Sequence, residues 1–279
     1  MTYREAIELG VDTLSKAQID NPDLDAWYLL QMVCKIERSF YYLHEEEEIT
    51  EEQQKEYEIA LKKRTERVPL QYIIGEQEFM GLAFKVNSNV LIPRQDTETL
   101  VEEALKVCKS GMQVLDLCTG SGCIIISLMR NAPGMTGTAS DISKQALLVA
   151  KENGKNHEVD VEWIRSDLFD NITGKFDLIV SNPPYIPTAE ISRLMPEVRD
   201  FEPFDALDGR EDGLYFYREI IEQSQDYLNS EGYLFLEIGF DQGEAVSALM
   251  RENGFTDVEV VKDLAHLDRV VKGKGKKYV

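Results

Sequence analysis

The residues best equipped for chemistry are Ser181-Asn182-Pro183-Pro184-Tyr185, which follow the apolar run Phe176-Asp177-Leu178-Ile179-Val180. A short run of β-formers reads as a buried strand. Two consecutive prolines then forbid both ladder donation and helix entry, so the backbone leaves the strand in a stiff extended turn. The turn gathers one side-chain amide, carbonyls with no N–H between them, and one aromatic ring. Asn182 Oδ1 and the Pro183 carbonyl can each accept one N–H of a planar NH2 group, and Tyr185 can stack on its plane. Both acceptors favour that nitrogen as it gains positive character, which is stabilisation by preorganised dipoles rather than by a strong base. A side-chain carboxamide and a nucleobase amino group fit this constellation alike.

A second cluster lies upstream. Val114-Leu115-Asp116-Leu117 reads as a strand that runs into Cys118-Thr119-Gly120-Ser121-Gly122 at the head of a helix. Glycines in such a turn let the backbone approach a ligand, and the first helical amides point at whatever binds. An acidic residue about 20 positions further on, at the end of the next strand, suits ribose hydroxyls, and Asp141 stands there. The third strand ends at Ser166-Asp167-Leu168-Phe169, where Asp167 can accept from an adenine amino group and Leu168 or Phe169 can pack on the ring. The bland alternative for Asp141 and Asp167 is helix capping and solvated loop chemistry. A dinucleotide fingerprint is excluded because Ile125 stands where its third glycine belongs, and the turn has no lysine to make a P-loop. What remains is an adenosine ligand without pyrophosphate, of which S-adenosylmethionine is the commonest.

The elements that must position these groups alternate. Strands are expected at 113–117, 135–140, 159–165, 176–180, 232–238, 255–261 and 267–271, with helices at 122–130, 143–153, 213–228 and 242–253 among them. Repeated β-α units imply a parallel sheet covered on both faces, and two closing strands with no full helix between them imply an antiparallel edge. The fold class is therefore α/β, a seven-stranded, doubly wound, mostly parallel sheet. Upstream, residues 2 to about 66 carry apolar positions at helical spacing and no catalytic constellation, which indicates a small N-terminal helical bundle. Pro22 suits a helix start, Thr50 with Gln53 forms a capping-box pattern, and Trp27, Tyr28, Phe40, Tyr41 and Tyr42 read as core. From Pro69 to Pro93 the pattern becomes hairpin-like. The expected organisation is 1–75 helical domain, 76–95 connector, and 96–279 catalytic domain. Asp96 reads as the cap of the next helix, whereas Arg94, in the turn before it, is placed to reach a neighbouring site.

Composition narrows the classes. The formal charge is −21, from 30 basic and 51 acidic residues, which disfavours a nucleic-acid partner and suits a basic protein partner. The 4 cysteines and 3 histidines are scattered, so neither a zinc site nor a disulfide framework is expected, and the chemistry is read as metal-free. No apolar run reaches membrane-spanning length and the first residues do not form a signal peptide's apolar core, so a cytoplasmic location is expected.

Three segments taken together, Leu91-Ile92-Pro93-Arg94-Gln95-Asp96-Thr97-Glu98, Leu115 to Gly122, and Asn182-Pro183-Pro184-Tyr185, closely resemble the HemK/PrmC family. These are class I S-adenosylmethionine-dependent methyltransferases that N5-methylate the glutamine of the Gly-Gly-Gln motif in class I peptide chain release factors, leaving S-adenosylhomocysteine. The resemblance implies that Cys118, Thr119, Gly120, Ser121, Gly122, Asp141, Asp167, Leu168 and Asn182 surround the cofactor. It also implies that Asn182, Pro183, Pro184 and Tyr185 receive and activate the substrate glutamine beside Arg94, and that the N-terminal domain recognises the release factor. The chain departs from the family at Cys118, usually glycine, at Leu168, often aromatic, and at Gln95, commonly proline. Two rival readings share the motifs: a nucleic-acid adenine N6-methyltransferase holding a flipped base, and a non-catalytic adaptor on a vestigial methyltransferase fold. Against the first stand the acidic charge and the lack of room for a base-reading domain, and against the second the intact motifs.

Overall fold

A computed structural model describes residues 1–277, so the last two residues of the expected 96–279 domain lie outside it. The chain forms two compact units, Met1–Glu76 with Met195–Phe201, and Gln77–Leu194 with Glu202–Val279.

The first unit is built on α1 (Tyr3–Lys16), α2 (Pro22–Cys34), α3 (Arg38–His44), α4 (Glu51–Thr65) and α5 (Leu70–Ile74). The expected capping box at Thr50 and Gln53 opens α4, and a second, Thr2 with Glu5, opens α1. Pro22 occupies the first turn of α2, where its missing N–H costs nothing. Ala6 and Leu14 of α1, Leu29 and Leu30 of α2, and Tyr57 and Leu61 of α4 interleave as the core. Arg64, itself 8% exposed, donates from Nε to Asp25 Oδ2 at 2.7 Å and from Nη1 to Glu197 Oε1 at 3.0 Å. Removing one member of such a buried network costs about 3–5 kcal/mol, because the others stay buried and unpaired. Two sequence expectations fail here. Leu70–Ile74 is helical rather than the start of a hairpin, because Leu70 and Ile73, at helical spacing, pack on this core. Of the aromatics read as core, Trp27 is buried and Tyr41 packs against the core, but Tyr28 of α2 is exposed, as are Phe40 and Tyr42 of the seven-residue α3, which has no fully buried residue.

The second unit begins with a true hairpin, β1 (Glu76–Phe79) and β2 (Leu82–Lys85). Its Phe79 and Phe84 are buried with Leu100 and Val101 of α6 (Gln95–Leu105). The chain then runs through β3 (Gln113–Leu117), α7 (Cys123–Asn131), β4 (Thr136–Asp141), α8 (Lys144–Asn156), β5 (Val161–Arg165) and β6 (Phe176–Ser181). Between β6 and α12 (Tyr215–Tyr227) come three short helices that periodicity does not reveal, α9 (Thr188–Ile191), α10 (Pro196–Phe201, part of the first unit) and α11 (Phe204–Leu207). Turns of four to six residues are too short to show a 3.6-residue repeat. The chain ends in β7 (Leu228–Glu237), α13 (Gly243–Glu252), β8 (Thr256–Lys262) and β9 (Asp268–Lys274).

The seven strands order as β5-β4-β3-β6-β7-β9-β8, parallel from β5 to β7, with β9 antiparallel to both of its neighbours. The antiparallel strand is thus inserted beside β7 and the edge is β8: the β7–α13–β8 crossover leaves a gap one strand wide and the hairpin return fills it. Val114, Leu115 and Leu117 of β3, and Leu178, Ile179 and Val180 of β6, are fully buried, as both-face coverage by helices demands. Chain order reverses between β3 and β6. That reversal opens a crevice at the strands' carboxyl ends, where open α/β sheets bind ligands. Among the described residues no helix is long and apolar enough to cross a membrane.

Candidate active site

Register fixes the site. Leu117 of β3 pairs with Ser181 of β6, and Ser181 pairs with Leu236 of β7. Cys118, Asn182 and Glu237, each one position further on, therefore stand side by side at the switch point. A cavity of about 620 Å³ opens there, lined by Arg94, Thr97, Cys118, Thr119, Gly120, Ser121, Asp141, Asp167, Leu168, Asn182 and Pro184 among others. Two sequence motifs 64 residues apart, at Leu117 and Ser181, are tied by the Ser181 hydroxyl donating to the Leu117 carbonyl at 2.7 Å.

The glycine turn is held from below and from the side. The Thr119 hydroxyl donates to Asp116 Oδ2 at 2.6 Å, and the buried Asn153 of α8 donates to the Ser121 carbonyl at 2.9 Å while it clasps the Lys85 backbone of β2. Asp116 is fully buried with its Oδ1 unpartnered, and burial pushes its carboxyl up to about 7 against the Thr119 hydrogen bond. The two glycines of the turn have different causes. Gly120 (φ +55°) would aim a Cβ into open space, so its backbone faces the cavity. Gly122 (φ +81°) would drive a Cβ to 3.0 Å from Ile126 and 3.2 Å from Trp163; it caps α7 and does not line the cavity. Cys118 adopts φ +59°, a left-handed conformation that favours glycine, and burial raises its thiol strongly.

Asp141 ends β4 with its carboxylate turned into the turn, accepting from Gly120 N–H at 2.9 Å and Ser143 N–H at 2.8 Å. Burial raises its carboxyl, and these two amides oppose the shift. The residues fit an adenosine ligand without phosphates: an open face over Gly120, an acidic residue at the second strand end, and Leu168 and Asp167 at the third. No lysine stands in that turn to grip a phosphate, and the Gly120 N–H is already taken by Asp141.

At the substrate end, Asn182 and Pro184 line the cavity, whereas Pro183 and Tyr185 do not. Tyr185 packs against the core beneath, its carbonyl receives Gln242 Nε2 at 3.0 Å, and burial pushes its phenol up. Asn182 Nδ2 points to Thr97 Oγ1 at 3.4 Å. Arg94 lines the cavity but is not free, since Nη2 donates to both oxygens of the buried Glu202 at 2.6 and 2.7 Å. The expected cap at Asp96 is displaced: α6 starts two residues earlier than that cap implies, with Arg94 in the capping position, and Asp96 pairs with Arg269 at 3.2 Å. Sequence reasoning missed Thr97, Asn153, Glu202 and Glu237. A signal existed for Glu237, a carboxylate closing the apolar run Tyr233-Leu234-Phe235-Leu236.

Comparison with known proteins bears on the whole chain. Residues 5–75 match the model of the PrmC N-terminal domain, and residues 95–195 match that of the methyltransferase small domain. The release factor glutamine methyltransferase of Geobacter sulfurreducens is 39% identical over 274 residues, covering 98% of this chain and 96% of that one. The protein of the same name from Thermodesulfovibrio yellowstonii is 43% identical over 253 residues, covering 88% and 90%. Among solved structures, a methyltransferase from Pyrococcus furiosus shares the fold, with a TM-score of 0.56 at 15% identity over 77% of this chain and 98% of that one. With near-full-length identity of this order, the chain belongs to the family of release factor glutamine methyltransferases.

Proposed function

We propose that this protein transfers a methyl group from S-adenosylmethionine to the side-chain nitrogen of the glutamine in the Gly-Gly-Gln motif of class I peptide chain release factors. One observation carries the reading: Asn182 and the glycine turn stand on adjacent strand ends in one cavity, so an acceptor for an NH2 group faces a nucleoside site. The bound cofactor supplies an electrophilic methyl on a sulfonium. A carboxamide nitrogen is a poor nucleophile, so the protein's task is placement at a near-attack distance of about 3–3.5 Å. Asn182 Oδ1, in the cavity lining, accepts one N–H and stabilises positive charge as it grows on nitrogen, and the carbonyl of the adjoining Pro183, itself outside the lining, is assigned the other. Gly120, Asp141, Asp167 and Leu168 orient the nucleoside. Pro183-Pro184 holds the acceptors rigid, because neither residue has φ freedom. The Arg94–Glu202 pair fixes the cavity wall beside the substrate.

The helical unit is assigned to recognition of the release factor. It carries exposed Tyr28, Phe40, Tyr42 and Leu43, the aromatic and apolar residues that anchor interfaces. Labelled S-adenosylmethionine offered with a release factor, with its Gln→Ala variant and with DNA tests the assignment: label should enter only the first. Asn182→Ala should lower single-turnover transfer by about tenfold or more in a folded protein. Label in DNA, or in the Gln→Ala variant, refutes the substrate.

A further inference from the structure

We propose that Glu237 is a positioning residue that fixes the side-chain amide of Asn182 with its oxygen toward the cavity. This rests on the reading above, in which that oxygen accepts an N–H of the substrate amide. Glu237 closes β7 directly beside Asn182, is 1% exposed, and has its Oε2 buried without a partner. It does not line the cavity; Thr97 and Asn182 do. The Thr97 hydroxyl and the Asn182 amide are the neighbouring side chains that favour its charged form, and Asn182 Nδ2 points to Thr97 Oγ1 at 3.4 Å.

An ionised carboxylate only accepts. Thr97 must then spend its single O–H on Glu237, which leaves Thr97 Oγ only its lone pairs for Asn182. Both neighbours of Asn182 are thereby acceptors, so its NH2 end turns inward and its oxygen outward. Among the described residues, the nearby Tyr217 and Arg269 are engaged elsewhere. The Tyr217 hydroxyl of α12 has the Glu237 carbonyl at 3.0 Å and Gln242 Oε1 at 3.2 Å as acceptors for its one O–H. Arg269 of β9 is engaged with Asp263 at 3.1 Å and with Asp96 of α6 at 3.2 Å. Burial pushes the Glu237 carboxyl up to about 7; the Thr97 and Asn182 hydrogen bonds and the Arg269 charge oppose this, and Asp96 adds to it. Tyr185, Tyr217 and Cys123 of α7 also face its charge. Once protonated, Glu237 can donate, and the network no longer runs in one sense. The orientation, and with it the rate, is therefore lost as pH falls through about 7.

The full-length Glu237→Gln variant, whose amide both donates and accepts, tests this against Glu237→Asp, which keeps an acceptor-only group. Glu237→Gln should lower single-turnover transfer about tenfold at pH 8 and abolish the acid limb of the rate profile. S-adenosylhomocysteine binding by calorimetry should stay within about twofold, and Glu237→Asp should retain more rate than Gln. An independent readout needs no turnover: the Asn182 side-chain NH2 signal in 15N spectra, identified by its loss in Asn182→Ala, should titrate near pH 7 in the wild type and not in Glu237→Gln. An Asn182 signal insensitive to pH between 6 and 8 in the wild type overturns the proposal even if the variant does not fold. So does an unchanged rate profile in Glu237→Gln. If the wild type methylates no release factor, the substrate reading falls, while the NH2 titration still decides the role of Glu237.

Discussion

Asp116→Asn should stabilise the second unit at pH 8 relative to its effect at pH 5. Asp116 is fully buried beneath the glycine turn, and its carboxyl is raised from an ordinary 3.8 to about 7. Over that window the folded protein holds the proton more tightly than the unfolded chain does. The stabilisation is therefore fully present below 3.8 and lost as pH rises through about 7. Integrated from pH 5 to pH 8, the loss is about 2–3 kcal/mol for a shift of this size. Asparagine cannot ionise, so the variant escapes it. Its NH2 replaces the unpartnered Oδ1 and brings a penalty of about 1–3 kcal/mol, but that penalty does not depend on pH and cancels between the two measurements. Urea unfolding, followed by the fluorescence of Trp163 in a Trp27→Phe background, reports the second unit alone. The difference in stability between variant and wild type should move in favour of the variant by about 2–3 kcal/mol from pH 5 to pH 8. A difference that is the same at both pH values refutes the assignment of a raised carboxyl to Asp116.

Other expectations follow from the site and the helical unit. Cys118→Gly removes a left-handed strain of about 1–2 kcal/mol while giving back about 0.4–1 kcal/mol of unfolded-state entropy, so the melting temperature should rise slightly; a fall would show that the thiol's packing beside Ser181 outweighs the strain. Asp141→Ala strips the acceptor from the Gly120 and Ser143 amides and should weaken S-adenosylhomocysteine binding by about tenfold or more in calorimetry; unchanged binding removes Asp141 from the nucleoside site. Leu43→Ser, on the exposed face of α3, should raise KM for an intact release factor and leave a short Gly-Gly-Gln peptide unaffected; equal KM for the intact factor would relocate recognition elsewhere.

What the sequence made legible was whatever repeats or whatever only one residue type can do. The β-α alternation yielded seven strands because their both-face burial leaves unbroken apolar runs such as Val114-Leu115 and Leu178-Ile179-Val180. The double proline marked Asn182 because no other dipeptide stops a strand so abruptly. What stayed hidden depends on partners far along the chain. Arg94 looked free because nothing local betrays Glu202, 108 residues away, and nothing local marks Asn153, at the end of an expected helix, for its clasp on Lys85 and Ser121. Gly122 shows the same limit from the other side. Its glycine is demanded by Trp163 and Ile126 rather than by a ligand, and a motif cannot tell the two causes apart. Glu237 joins both kinds. Its place at a strand end was visible, but its meaning arises only when parallel register sets it beside Asn182, with Thr97 arriving from a third element to complete a network whose direction one buried charge decides. Thus many of the residues that line the cavity could be read from type and spacing, whereas those that hold them in place required the fold.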